Sequence, residues 1–411
     1  MNLRHDAEII IQASIQAVLP DEAVSRALEN KKFDSGKLFL VAAGKAAWQM
    51  AYTTEKILSS RLDGGIVISK YNHIKSPIPK LTCIEAGHPI PDENSFRATE
   101  AAIQLVRNLT AKDTVIFLLS GGASALFEKP LIPSEELADI TNQLLSCGAD
   151  IVEMNTLRKR LSAVKGGKFA RLCEPAHIYC IVLSDIIGDP LDMIASGPVY
   201  PDSSTCEQAL RIAHKYNLKL SAKAWDLLKT ETIKNITNVE TIITGNVHSL
   251  CEAAAISCAS LGYRPIILSD QLTCEAREAG SFLASIARTH RYSNESLAFI
   301  VGGETVVHIT GKGKGGRNQE LALAAAPFLS GIPNAVIFSV GSDGTDGPTE
   351  AAGGYVDSKT CETLKQNGLN VYDILKENNS YHALKLTNGL IITGATGTNV
   401  NDFSVLLIRK L

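Results

Sequence analysis

Several glycine-rich turns in this chain carry the residue types that hold phosphate. In VIFLLSGGASAL, Ser120, Gly121, Gly122, Ala123 and Ser124 follow a hydrophobic run. Glycines there let backbone N–H groups turn toward an anion, and a following helix N-terminus adds positive dipole. The same composition serves a tight strand-to-helix turn that needs positive φ, and the spacing alone does not choose. VAAGKAAWQMA is a second such turn, with Lys45 directly after Gly44. A lysine there is either a solvated helix-start residue or a point charge aimed at a phosphate.

The densest element is VVHITGKGKGGRNQELALAAA, in which Gly311, Gly313 and Gly316 fit the dinucleotide pattern G-x-G-x-x-G. Lys312 and Lys314 crowd charge into that turn, however, and Asp343 comes late for the acid that would bind a ribose. The segment reads instead as a mobile cationic loop that delivers Arg317 at a helix start, suited to the charge on a transferring phosphoryl group. A flexible strand-to-helix connection is the alternative. Acids stand in complementary places: Asp185 and Asp189 in LSDIIGD, Glu304 in VGGET, Asp343 and Asp346 in VGSDGTDGPTEAAGG, and Asp402 in GATGTNVND. Hard oxygen ligands at glycine-flanked strand ends suit Mg²⁺, and one carboxylate could accept a hydroxyl proton, although each acid singly also fits a cap or Asx turn. Asp185 is the expected base, because it ends the run HIYCIVLSD at the start of an unusually long loop, 183–205. Asp189 and Asp343 compete for that role, and Asp189, Glu304 and Asp343 are the expected metal ligands. His88 in AGHPIPDENS reads as a capping or loop histidine, since Pro89 and Pro91 fix an extended segment and Asp92 looks like an N-cap. The chain contains no P-loop, no protein-kinase catalytic loop, no G-x-S-x-G and no H-E-x-x-H.

These residues need rigid strands to place them, and the sequence supplies a rhythm for that. Short β-branched runs (KLFLVAAG, GGIVIS, TVIFLLSGG, HIYCIVLSD, ETIITGN, RPIILSD, LAFIVGG, AVIFSVGSDG, GLIITGATG) alternate with helical patterns. That is the βαβ signature of α/β architecture with parallel sheets. Most runs end in Gly, Ser, Asp or Asn, where ligands of open α/β sheets bind. The polar stretch 229–238 suggests a break, giving domains 1–235 and 236–411. With 40 Lys+Arg against 43 Asp+Glu, charge offers no footprint for nucleic acid or anionic membrane, and the partner is expected to be small. Nine scattered cysteines without a C-x-x-C pair read as reduced thiols in a cytoplasmic protein. The N-terminal segment lacks a small-residue cleavage site and no apolar run is long enough for a bilayer, so the chain reads as soluble.

Taken together, VAAGKAA, HPIPD, LSGGASAL, MNTLRKRLSAVKGGKFA, LSDIIGDPLDMIASGPVYPD, EAREAG, GGETVV, GKGGRNQELALAAA, GSDGTDGPTEAAGG and TGATGTNVND resemble the class II glycerate 2-kinase family, of the MOFRL type. The segments stand in family order from about residue 40 to 402. Two positions depart from the pattern, Ala123 and Cys274, each where glycine is usual. The resemblance implies an N-terminal Rossmann-like parallel sheet flanked by helices and a smaller C-terminal α/β domain, with a cleft between them. It also implies ATP-dependent phosphorylation of D-glycerate at its 2-hydroxyl, with Mg²⁺. On that reading Lys45, Asp185 and Arg317 are catalytic, and Ser120, Gly121, Gly122, Ser124, Lys312 and Lys314 bind the nucleotide. Family members often carry the label hydroxypyruvate reductase, which makes a nicotinamide-dependent reductase the competing activity. Whether the chain forms a homodimer is left open.

Overall fold

Five of the hydrophobic runs, joined by a strand at Leu81–Ala86 that the patterning did not single out, form one sheet in the computed structural model, which describes residues 2–410. They are β1 (Leu38–Ala43), β2 (Gly64–Lys70), β3 (Leu81–Ala86), β4 (Thr114–Leu119), β5 (His177–Leu183) and β6 (Val239–Gly245), in the order β3-β2-β1-β4-β5-β6. The pairs β2–β3, β1–β2, β1–β4 and β4–β5 are parallel. Parallel strands are covered on both faces, which is why β4 reads as an uninterrupted apolar run and is buried along its whole length. The strand order reverses between β1 and β4, and in doubly wound sheets such a reversal opens a crevice at the strands' carboxyl ends.

The remaining strands form a second sheet: β7 (Arg264–Leu272), β8 (Leu297–Gly303), β9 (Ala335–Gly341), β10 (Gly353–Asp357), β11 (Leu390–Ile391) and β12 (Asp402–Ile408), in the order β11-β10-β9-β12-β8-β7. Here the expectation of parallel strands is corrected. Only β7–β8 is parallel, while β9–β10, β10–β11, β8–β12 and β9–β12 are antiparallel. The connection from β9 to β10 contains no helix and is too short for a parallel crossover, so β10 must turn back. β12 then enters between β8 and β9 from the opposite direction, pairing Asp402 with both Gly303 and Gly341.

The chain divides into two compact units, neither continuous in sequence. One comprises residues 24–183 and 189–244 with the first sheet, and the other takes the segment up to Ala23, Ser184–Gly188 and everything from Gly245 onward. A cut at 235 does not follow these units, because β6 lies beyond it and pairs into the first sheet. The N-terminal helix Leu3–Ala17 belongs with the second sheet: Ile10, Ile11 and Ile15 share a core with Val247, Leu250, Phe338 and Phe403, and Tyr263 donates to Asp6 Oδ2 at 2.6 Å. No helix among the described residues is long and apolar enough to cross a membrane.

Candidate functional site

In the first unit, the turns after β1 and β4 meet at the switch point. Gly44 has φ +132°, and a β-carbon there would lie 2.1 Å from Ser120 Oγ, so only glycine allows the two turns to touch. The Lys45 N–H donates to the Gly121 carbonyl at 2.9 Å and the Ala46 N–H to Ser120 Oγ at 3.1 Å. Ser69 Oγ, on β2, donates to the Gly44 carbonyl at 3.1 Å. The carbonyls of Ser120, Gly121 and Gly122 all accept hydrogen bonds within this turn cluster, from Ala123, Lys45 and Ala125. Lys45 is half-buried, and its ammonium has no carboxylate partner among the described residues. The helix after Gly122 is short, Ala123–Leu126, so the glycine turn itself rather than a helix dipole must provide any anion affinity.

Behind this turn lies a set of buried cations that sequence reasoning did not single out. Lys165 is fully buried, donates to the Ser124 and Phe127 carbonyls at 2.7 and 3.0 Å, and pairs with Glu128 at 3.3 Å. Lys168 donates to the carbonyls of Lys159, Arg160 and Ser162, and burial lowers its pKa to about 8. Lys159 and Arg160 are buried against Asp202, at 2.9 and 3.6 Å. Lys165 fastens the backbone just after the glycine turn, while Lys168, Lys159 and Arg160 hold the neighbouring segments around 159–162 and Asp202, and the signal for them was the cluster RKR-x-x-x-x-K in MNTLRKRLSAVKGGKFA.

In the second unit, the carboxyl ends of β8 and β9 and the first residue of β12 gather the other candidates. Arg317 begins the helix Arg317–Leu329, and its Nε and Nη2 reach Asp402 Oδ2 and Oδ1 at 2.5 and 3.1 Å. Its Nη1 reaches Glu304 Oε1 at 2.6 Å. Asn401 Nδ2 bridges Glu304 Oε2 at 3.2 Å and the Asp185 carbonyl at 3.1 Å, so Asp185, Glu304 and Arg317 are joined through Asn401 and Asp402. Burial raises the Asp402 pKa to about 6 although Arg317 opposes it, while the two carboxylates outweigh burial at Arg317 and raise its pKa. The directions agree physically: two acids about one base favour the cation, and the burial of Asp402, although Glu304 beside it is exposed, disfavours the Asp402 anion. A small crevice with a volume of about 10 Å³, lined by Leu272, Gly303, Thr305, Asn318, Asp402 and Ser404, adjoins the cluster.

Asp343 stands beside it. Its Oδ1 accepts from the Thr345 N–H at 2.8 Å and hydroxyl at 3.0 Å, and lies 3.4 Å from where a Gly341 β-carbon would be, as does Asp402 Oδ1. Asp346 is a cap instead: buried, it accepts from the Asn318 and Gln319 N–H groups at 3.1 and 2.9 Å and closes the N-terminus of the Arg317 helix. Asp189 lies in the first-sheet unit at φ +49°. No group of three or more His, Cys, Asp or Glu side chains among the described residues forms a ready-made metal cage.

The loop 311–316 differs from the mobile connection expected. Asn378 Oδ1 accepts from the Thr310 and Gly311 N–H groups at 2.7 and 2.9 Å, the Gly313 N–H donates to the Glu377 carbonyl at 2.8 Å, and the Tyr381 N–H donates to the Lys314 carbonyl at 2.9 Å. β-carbons on Gly311 and Gly316 would lie 2.3 Å from Glu377 Cα and Asp346 Cγ. The G-x-G-x-x-G glycines therefore serve close packing inside the unit, and the dinucleotide pattern is coincidental. Lys312 is exposed, whereas Lys314 Nζ lies 4.5 Å from the centre of the Tyr381 ring and 3.8 Å from Glu350.

Comparison with known proteins agrees with this architecture. Residues 6–229 match a domain of unknown function, DUF4147, and residues 297–402 match the MOFRL family. A D-glycerate 2-kinase of Thermotoga maritima is 49% identical over 405 residues, covering 97% of each chain. A glycerate 2-kinase of Pyrococcus horikoshii is 38% identical, covering 100% of this chain and 98% of its own. The crystal structure of glycerate kinase from Thermotoga maritima superposes with a TM-score of 0.95 at 48% identity, covering 99% of both chains.

Proposed function

This chain belongs to the glycerate 2-kinase (MOFRL) family, and from that premise we propose that it transfers the γ-phosphoryl group of ATP to the 2-hydroxyl of D-glycerate. The observation that carries this reading beyond family membership is the switch-point turn, where Lys45, whose ammonium has no carboxylate partner among the described residues, runs its Cγ beside a glycine loop whose carbonyls are turned inward. Such a turn offers positive charge and no competing acceptor to phosphate oxygens. Ser120 to Ser124 shape the loop, and Lys45 stabilises the negative charge that spreads over the transferring group. Arg317, held in a fixed fork by Asp402 and Glu304, contributes oriented N–H groups rather than a free charge.

Asp185 accepts the hydroxyl proton as the oxygen–phosphorus bond forms and the bond to the departing ADP breaks. Asn401, by holding the Asp185 carbonyl, fixes the backbone from which that side chain extends. Mg²⁺ fits Asp343, whose Oδ1 is tied down by Thr345 and whose second oxygen remains to be used. Kinases commonly hold Mg²⁺ by one or two carboxylates plus phosphates, and no all-protein cage is needed. When bound, the ion neutralises charge on the β- and γ-phosphates. A reductase reading has no comparable support, since its only dinucleotide pattern is consumed by packing at Glu377 and Asp346.

The test is product analysis. The purified protein should consume ATP only when a 2-hydroxy carboxylate such as D-glycerate is present and should form 2-phosphoglycerate, not the 3-phospho isomer. Faster NADH oxidation with hydroxypyruvate would overturn the reading. Titrating Mg²⁺ against Asp185→Asn and Asp343→Asn separates their roles: a base variant stays about 10²-fold slow at all Mg²⁺ concentrations, and a ligand variant recovers as Mg²⁺ rises.

A further inference from the structure

Between β3 and the helix Glu93–Val106, the segment 87–92 is built to hold one side chain. Asp92 Oδ1 accepts from the Ser95 N–H at 3.0 Å, Asp92 Oδ2 accepts from the Tyr71 hydroxyl at 2.6 Å, and the Asp92 carboxylate also takes the Gly87 N–H. A β-carbon on Gly87 would lie 2.5 Å from the Ile90 carbonyl oxygen, so the segment is tightly folded. It directs the His88 ring at the turn after β4. A β-carbon on Gly122 would meet His88 Cδ2 at 3.0 Å, His88 Nε2 at 3.1 Å and Lys45 Cγ at 3.3 Å. Imidazole, lysine and glycine turn thus share one spot at the switch point. Neither ring nitrogen of His88 has a hydrogen-bond partner among the described residues.

We propose that His88 is a ligand-binding residue, whose Nε2–H donates a hydrogen bond to the oxyanion held between Lys45 and Gly122. This rests on the assignment of that turn to anion binding. The oxyanion is either a phosphate of the nucleotide or the carboxylate of glycerate, and both present the same acceptor chemistry. The surroundings fit this role. Burial and the neighbouring charges of Lys45, Lys70 and His73 push the imidazole pKa below its usual value, which favours the neutral ring in the free protein. The acids on the adjoining elements are already engaged, Asp92 with Tyr71 and Ser95, and Glu85 with the His73 and Ile74 N–H groups. A bound anion opposes the cations and favours the protonated ring, so binding takes up a proton.

The experiment compares the full chain with Lys45→Ala, His88→Ala and His88→Gln, varying ATP and D-glycerate separately. His88→Ala should raise the KM of one of the two ligands about tenfold and leave the other unchanged, which identifies the source of the oxyanion. Glutamine keeps an N–H donor and should recover part of the loss. Calorimetry of that ligand in buffers of different ionisation enthalpy should show proton uptake in the wild type and less in His88→Ala. If both KM values stay within twofold in folded His88→Ala and His88→Gln, or if only kcat changes, the inference is overturned. If Lys45→Ala also matches the wild type, the anion-site reading itself has failed; if Lys45→Ala is impaired and the His88 variants are not, only the role of His88 falls.

Discussion

Lys45 and Arg317 look alike in the sequence, each a cation following glycine at the start of a helical run. In the folded chain they are opposites. Lys45 has no carboxylate partner among the described residues, while Arg317 is gripped by Asp402 and Glu304 at 2.5 and 2.6 Å. A lone ammonium presents its full charge to a ligand and contributes little to the fold. A guanidinium between two carboxylates sits in a cluster of net negative charge, so it contributes direction and structure more than attraction. Proximity to a glycine turn therefore says where a cation is, and its counter-ions say what it does.

The sharpest test of this contrast is Lys45→Ala, which should lower kcat by about 10² to 10³ while leaving thermal stability unchanged. Steady-state rates and a melting curve on the same preparation check both halves. Arg317→Ala should lose about 10² in kcat and, unlike Lys45→Ala, should also destabilise the chain, because it strands the buried Asp402 carboxylate. Breaking a buried pair costs about 3–5 kcal/mol, and the one-third exposure of the Arg317 side chain reduces that to about 2 kcal/mol. Equal melting temperatures for the two variants would erase the distinction. Arg317→Lys should restore some stability but little rate, since an ammonium cannot make the fork.

A smaller effect is expected at Asn378, whose side chain bonds Thr310, Gly311, His308 and Glu320. Asn378→Ala should cost about 1–3 kcal/mol and speed hydrogen exchange over 308–316, with a loss of kcat below about tenfold. The smallest signal is the pH dependence of Asp402. Its folded pKa of about 6 exceeds its ordinary 3.8, so the native form binds the proton more tightly than the unfolded chain. This group's contribution is present below 3.8, fades as pH rises toward 6, and is absent above it. Melting temperatures between pH 4 and 7 should show that slope in the wild type, and Asp402→Asn should flatten it.

Much of this was legible in the sequence, and the rest was hidden for definite reasons. The first sheet could be read because strands buried on both faces are continuous apolar runs, as β4 is. The strands β3, β10 and β12 were not singled out at all, and the antiparallel pairing of the second sheet could not be read, because an apolar run looks the same whichever way its neighbour points. Glu304, Arg317 and Asp185 stood out as charged residues at glycine-flanked strand or helix ends. That Asp402 would hold Arg317 depends on a strand register set 85 residues away, beyond any local pattern. His88 was read as a loop residue because Pro89 and Pro91 dominate its surroundings, and only the fold brings Gly122 against its ring. The glycines at 311, 313 and 316 fit a dinucleotide pattern that their charged neighbours already argued against, and the fold supplies their reason, since close approach to a neighbouring turn demands the same residue as close approach to a pyrophosphate.

The place of β12 also bears on how the chain is made. β8 and β9 are synthesised well before the strand that separates them, and until residues 402–408 emerge each presents an unpaired edge. A nascent chain stopped before Asp402 would hold two open edges and an Arg317 without its principal counter-ion, a state prone to aggregate and in need of chaperone protection. Assembly of this unit is thus coupled to translation of its final strand, and a ribosome-stalled chain released just short of residue 402 should be markedly less soluble than one released after residue 408.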